Sequence, residues 1–167
     1  ATIGVAYESE TNLMRKAELA LKEARKNGKN NIKYYSDDLE VIRSLKETSH
    51  WGPIVKNGLL NGKVLAYYQP IYDLKTNCIE KYELLVRLEH EGEIHTPFKF
   101  LNAVSNTGQM YDIFRFMFDK ACMQANRTGM KFSVNIGDSE LENKALVSFI
   151  KMSLEKYDIS PDLISLE

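Results

Sequence analysis

Hydrophobic positions in this chain repeat with two different periods, and the two alternate along its length. From Lys81 to Leu88 the period is two: Tyr82, Leu84, Val86 and Leu88 share one face of an extended strand, while Glu83, Leu85 and Arg87 share the other. The same alternation returns in Lys131–Ile136, where Phe132, Val134 and Ile136 oppose Ser133 and Asn135. It returns again in the final five residues, where Ile164 and Leu166 oppose Leu163, Ser165 and Glu167. Between these strands the period lengthens to that of a helix. Thr96-Pro97 starts one helix with Phe100, Leu101 and Val104 inward and Gly108 as its stop. Tyr111 to Arg127 carries Phe114, Met117, Phe118, Ala121, Cys122 and Ala125 on a broad stripe, and a further helix carries Leu141, Ala145, Phe149 and Met152 with Leu146, Ile150 and Leu154 beside them. Strands alternating with helices predict parallel βα units, whose chemistry sits at the carboxyl ends of the strands. An unpaired buried carboxylate or guanidinium costs several kcal/mol, so the polar faces are expected to line a wet cavity in which Glu83, Asn135 and Glu167 converge.

Upstream, Val64–Tyr72 reads as a strand followed by a turn at Asp73–Asn77, with Tyr67, Gln69 and Ile71 on one face, so that Gln69 can reach the cavity of Glu83. Glu89–Glu93 reads as a solvated acidic turn, and His90 and His95 fit no metal spacing. Thr2–Tyr7 and Ile32–Tyr35 are short strand candidates. Between them Thr11 is expected to cap a helix with Leu13, Ala17, Ala20, Leu21 and Ala24 on one stripe and Gly28 as its left-handed stop. Asp37 and Asp38 start a helix carrying Leu39, Ile42 and Leu45. Trp51-Gly-Pro53, Gly58 and Asn61-Gly62 are then expected to break the chain repeatedly, with His50 and Trp51 packing locally.

Composition narrows the class without naming a function. The 167 residues are 44% hydrophobic and 27% charged, enough for one ordinary domain or two small ones. A net charge of -1 gives no long-range attraction to a nucleic acid polymer or an anionic membrane, so phosphate binding has to be local. Cys78 and Cys122 stand apart without CxxC spacing, which suits reduced thiols and a cytoplasmic setting. No run of about 18 apolar residues forms a membrane segment. The first residues read like the interior of a domain, so a longer parent is expected, and a membrane anchor upstream is left open.

Four motifs in order, Tyr68-Gln-Pro-Ile71, Tyr82-Glu-Leu-Leu-Val-Arg87, Ser133-Val-Asn-Ile136 and Leu163-Ile-Ser-Leu-Glu167, resemble the opening motifs of an EAL domain. The resemblance implies a modified TIM barrel that hydrolyses the bacterial messenger cyclic di-GMP, or binds it without hydrolysis. It implies Glu83, Asn135 and Glu167 as metal ligands, Arg87 gripping a phosphate oxygen or guanine edge, and Gln69 helping to hold the nucleotide. Two carboxylates and an amide oxygen are a hard donor set that favours Mg²⁺ or Mn²⁺ over zinc. Leu84 stands where the family usually has Ala, on the apolar outer face, which alters packing and not the ligand set.

The first stretch, Thr2-Ile-Gly-Val-Ala6 with Ala17–Arg25 and Gly28-Lys-Asn30, resembles the carboxyl end of a GGDEF domain, the family that makes cyclic di-GMP from GTP. It departs from that pattern at Glu18, Lys22, Arg25 and Lys29, and no Gly-Gly-Asp/Glu-Glu-Phe sequence is present; taken alone, the helix reads as a capped surface helix with a basic end. The expected organisation is α/β: residues 1–36 the carboxyl-terminal part of a GGDEF α+β domain, 37–63 a linker helix and turns, and 64–167 the amino-terminal half of a TIM-barrel-like EAL domain. The family's paired aspartates, catalytic lysine and later glutamates have no counterpart before Glu167, so no catalytic residue beyond the metal ligands is assigned. The chain by itself is expected to be an incomplete, inactive part of a metal-dependent phosphodiesterase that opens the ring to pGpG. The alternative is a non-catalytic receptor or interaction module. Family analogy also implies homodimers.

Overall fold

The computed structural model describes residues 1–7 and 12–167, which divide into two units, Ala1–His50 and Trp51–Glu167. The expected Thr11 cap lies outside the described residues.

In the first unit, strands β1 (Ile3–Val5) and β2 (Ile32–Tyr34) pair in parallel on either side of helix α1 (Leu13–Lys26) in sequence. A Cβ at Gly4 would sit 2.2 Å from the backbone nitrogen of Leu21 and 2.3 Å from the carbonyl of Ala17, so glycine lets β1 lie directly on α1. Ala20 and Ala24 are fully buried, as the stripe predicts, but Leu13 at its start is exposed. The helix ends as expected, with Gly28 at φ 103° and the Asn31 amide donating to the carbonyls of Ala24 and Gly28. Glu23 is buried, and its carboxylate accepts from the backbone N–H of Val41 at 2.9 Å, in the first turn of helix α2 (Glu40–Leu60). A negative group there satisfies a donor that the helix itself cannot.

The expected breaks at Trp51-Gly-Pro53 and Gly58 do not occur; α2 runs through Pro53 for 21 residues. Proline lacks the N–H that would bond four residues back, and packing offsets that loss: Val55 is fully buried, and Trp51, Ile54 and Leu59 pack on the core of the second unit. Trp51 does not pack locally in sequence, since its ring lies 5.2 Å from that of His95 and 6.3 Å from that of Phe100.

The second unit is a five-stranded open sheet, β3 (Val64–Asp73), β4 (Cys78–His90), β6 (Lys131–Val134) and β7 (Ile164–Leu166) in that order, with β5 (Glu93–His95) on β4. Strands β4, β6 and β7 are mutually parallel, as the βα alternation predicts. Strand β3 is antiparallel to β4, because only a short turn with Asn77 at φ 58° joins them. The acidic stretch after Leu88 turns in solvent as expected, and the turn closes a hairpin: Glu91 and Gly92 both have positive φ, the requirement of a two-residue turn, and β5 folds back on β4.

One face of this sheet is covered by helices α3 (Pro97–Val104), α4 (Gln109–Thr128) and α6 (Leu146–Tyr157). Leu84, Val86, Leu88, Phe132 and Val134 meet Phe100, Val104, Phe114, Met117, Phe118, Ala121 and Cys122 there in one core. The helix expected from Leu141 is two helices, α5 (Asp138–Leu141) and α6, so Leu141 and Met152 are exposed while Leu146 is buried. Each helix has its own N-terminal acceptor: the buried Glu140 carboxylate accepts from the N–H of Gly137 at 3.0 Å and from the hydroxyl of Ser139 at the start of α5, and the Asn143 side chain accepts from the N–H of Ala145 at 2.9 Å just before α6.

Candidate functional site

The alternation of β4 decides which side chains remain available for chemistry. With Leu84, Val86 and Leu88 turned into the helical layer, Lys81, Glu83, Leu85 and Arg87 face the other way. Neighbouring strands keep the same parity: Glu83 is in register with Gln69 on β3 and Ser133 on β6, and Ser133 with Ser165 on β7. Matching faces of adjacent strands therefore bring Gln69, Glu83, Ser133 and the two residues that follow β6 and β7, Asn135 and Glu167, to one surface.

The contacts on that surface are direct. The Asn135 side-chain amide donates to Glu83 Oε1 at 2.9 Å. Glu167 is held beside Asn135 by the backbone ladder, its N–H donating to the carbonyl of Val134 and its own carbonyl accepting from Ile136. Its carboxylate takes the ammonium of Lys81 at 2.5 Å. The ammonium holds the Glu167 carboxyl below the usual carboxylate range, and the carboxylate raises Lys81 in return. Both partners are partly exposed, so the pair contributes on the order of 1 kcal/mol or less and can open. Ser133 lies beneath them, fully buried; its hydroxyl is near enough to favour the Glu167 carboxylate but completes no hydrogen bond at standard distance.

Arg87 sits apart from this cluster, and Gln69 borders it. Gln69 lies across the β3–β4 pair from Glu83. Arg87 is four residues further along β4, about 13 Å at the rise of an extended strand. Its Nη1 donates to the carbonyl of Val86 at 2.8 Å, and its guanidinium stacks over the ring of Tyr67 at 5.3 Å. The remaining guanidinium N–H groups are thereby presented by a fixed plane. Sequence reasoning placed Ser133 on this face without giving it a role and passed over Lys81, although the same period-two count puts Lys81 there as well.

As a donor set, Glu83, Asn135 and Glu167 offer two carboxylates and an amide oxygen, above a buried hydroxyl without a partner. These are hard oxygens, and they fit a small divalent cation of the Mg²⁺ or Mn²⁺ kind better than zinc. Among the described residues no three His, Cys, Asp or Glu side chains cluster as a metal site.

The chain is 27% identical over 161 residues to the signaling protein YkoW of Bacillus subtilis, covering 93% of this chain and 20% of YkoW. It is 24% identical over 178 residues to the cyclic di-GMP phosphodiesterase PdeB of Shewanella oneidensis, covering 99% of this chain and 21% of PdeB. The chain thus spans about a fifth of the length of the curated relatives it matches. Among solved structures, the S helix-GGDEF-EAL portion of LapD from Vibrio cholerae, bound to c-di-GMP, superposes with a TM-score of 0.63 at 16% identity, over 96% of this chain and 40% of that one. Residues 54–167 match the EAL domain, and the chain belongs to the EAL domain family.

Proposed function

We propose that this chain supplies the first part of a cyclic di-GMP site in a signalling protein, and that the whole protein is a metal-dependent phosphodiesterase opening the cyclic dinucleotide to pGpG. The observation that carries the reading is the 2.9 Å contact of Asn135 with Glu83, with Glu167 laddered beside it, because it gathers oxygens from three strands at one rim. Glu83, Asn135 and Glu167 would hold Mg²⁺ or Mn²⁺. A divalent ion there supplies charge neutralisation for the phosphodiester and a more acidic water. Arg87, fixed against Tyr67, binds a phosphate oxygen or guanine edge, and Gln69 orients the nucleotide from the facing strand. No general acid or base is assigned among these residues.

The organisation that goes with this reading is residues 1–36 as the end of a GGDEF domain, 37–63 as a helix and turns, and 64–167 as the first half of an EAL barrel. The parallel β1–β2 pair around α1 and the GGDEF-EAL character of the LapD structure support it. No helix of the described residues is long and apolar enough to cross a membrane. A second reading, a receptor that binds the dinucleotide without cleaving it, is favoured by one observation: Lys81 already neutralises one of the three proposed ligands.

Hydrolysis of cyclic di-GMP by the complete protein, with Mg²⁺ or Mn²⁺, tests the proposal. Glu83→Ala is expected to lower turnover by about a hundredfold or more while the fold persists. Turnover unchanged by that substitution removes Glu83 from the site. A wild-type protein that binds the dinucleotide through Arg87 but never cleaves it supports the receptor reading.

A further inference from the structure

Lys81 is the residue on this surface that a metal site does not need. Its side chain starts on β4 and its ammonium ends on Glu167, past β7, so it crosses the width of β6. Lys131 stands opposite Lys81 in register, and like charges facing each other across a strand pair are unfavourable. Lys81 pairs instead with the carboxylate of Glu167. Beneath the path of its side chain, Ser133 keeps a fully buried hydroxyl that no group of the protein completes.

We propose that Lys81 is a tethered counter-cation that occupies Glu167 and competes with a divalent ion for the oxygens of Glu83, Asn135 and Glu167, lowering the metal affinity of this site below that of the ligands alone. The inference rests on the metal-site reading of those three residues. A primary ammonium on a flexible four-carbon stem is a compact charge that can swing away, so the lysine weakens metal binding without abolishing it. It opposes metal binding in two ways: it must surrender its ion pair when metal enters, and while near it repels a cation of the same sign. The mixed state, with lysine in place of metal, halves the negative charge of the two carboxylates, and in that state the site can hold the dinucleotide through Arg87 and Gln69 alone.

Calorimetric titration of Mn²⁺ into the complete protein tests this without reference to turnover, using wild type, Lys81→Met, Lys81→Arg and Glu83→Gln, with circular dichroism as the check on folding. Lys81→Met is expected to bind Mn²⁺ about tenfold more tightly or better, and Lys81→Arg to remain near wild type. Lys81→Gln serves in place of Lys81→Met if the latter does not fold. Equal or weaker Mn²⁺ binding by the neutral variants, with binding still lost in Glu83→Gln, overturns the role of Lys81 and leaves the metal site standing. Absence of any Glu83-dependent Mn²⁺ binding in wild type and in the neutral variants overturns the metal site, and this inference with it.

Discussion

Glu83 and Leu84 are neighbours in sequence with opposite duties, and replacing each in turn separates stability from function. Leu84 is 2% exposed and borders an apolar cavity of about 310 Å³ lined by Ile113, Phe114, Met117 and Val134. Leu84→Ala removes three carbons, about 2.4 kcal/mol at about 0.8 kcal/mol for each buried CH₂. The facing aromatic rings of Phe114 and Phe118, 5.7 Å apart, limit collapse into the new space, and unfilled volume adds about 1 kcal/mol. The expected loss is about 3 kcal/mol. It would be read as a lower denaturation midpoint in urea with an unchanged slope. Glu83→Gln keeps the shape of the side chain on the open face and is expected to stay within about 1 kcal/mol of wild type. The proposed ligand-binding surface should respond the other way: Leu84→Ala leaves Mn²⁺ binding intact below its unfolding midpoint, and Glu83→Gln weakens it. A loss below about 1 kcal/mol for Leu84→Ala, or a larger loss for Glu83→Gln than for Leu84→Ala, would refute the assignment of faces on which the site is built.

Three further predictions concern positions outside that surface. Gly4→Ala forces a methyl group into the backbone of α1 and is expected to destabilise residues 1–50 by several kcal/mol, seen as faster hydrogen exchange in β1 and α1; unchanged exchange would show that the strand has room to move. Cys78 is exposed and Cys122 buried, so a thiol reagent at pH 8 should modify Cys78 alone until the protein unfolds. Burial pushes the Cys122 thiol up from an ordinary value of 9.0 to about 12. Between these values the unfolded chain loses this proton while the folded chain keeps it, so stability falls as pH rises through that window. Cys122→Ala should flatten that part of the pH profile, and a profile identical to wild type would count against the assignment.

The faces of the strands were legible in sequence, and the limits of the elements were not. Period-two counting placed Leu84, Val86 and Leu88 on the buried side of β4 and Phe132 and Val134 on that of β6, where the structure has them. It worked because one face of the sheet is covered by helices and the other is not. The helix stripe of Phe114, Met117, Phe118, Ala121, Cys122 and Ala125 was equally plain, every member being buried. Pro53 misled, because local propensity predicts a break and packing by Trp51, Ile54 and Val55 overrides it. Glu91-Gly92 read as a solvated turn and is one, but the pairing of β5 with β4 that it sets up was not foreseen. The proximity of Asn135 to Glu83 could be expected from parity, since both lie on the unburied face. The bridge from Lys81 to Glu167 could not, because it depends on how far a long side chain reaches across an intervening strand.

The hairpin that joins β3 to β4 has a consequence for the order in which this surface comes into being. Gln69 and Glu83 are brought opposite each other by a short turn, closed by the Asp73 carboxylate accepting from Lys75 and Thr76. Such a contact costs little loop entropy and can form on the microsecond scale. Asn135 reaches Glu83 from 52 residues away, after α3 and α4 have docked. One half of the rim is thus set early by local chain geometry, while the other half arrives only with the assembled helical layer, so damage to α4 should loosen Asn135 and Glu167 while leaving Gln69 and Glu83 aligned.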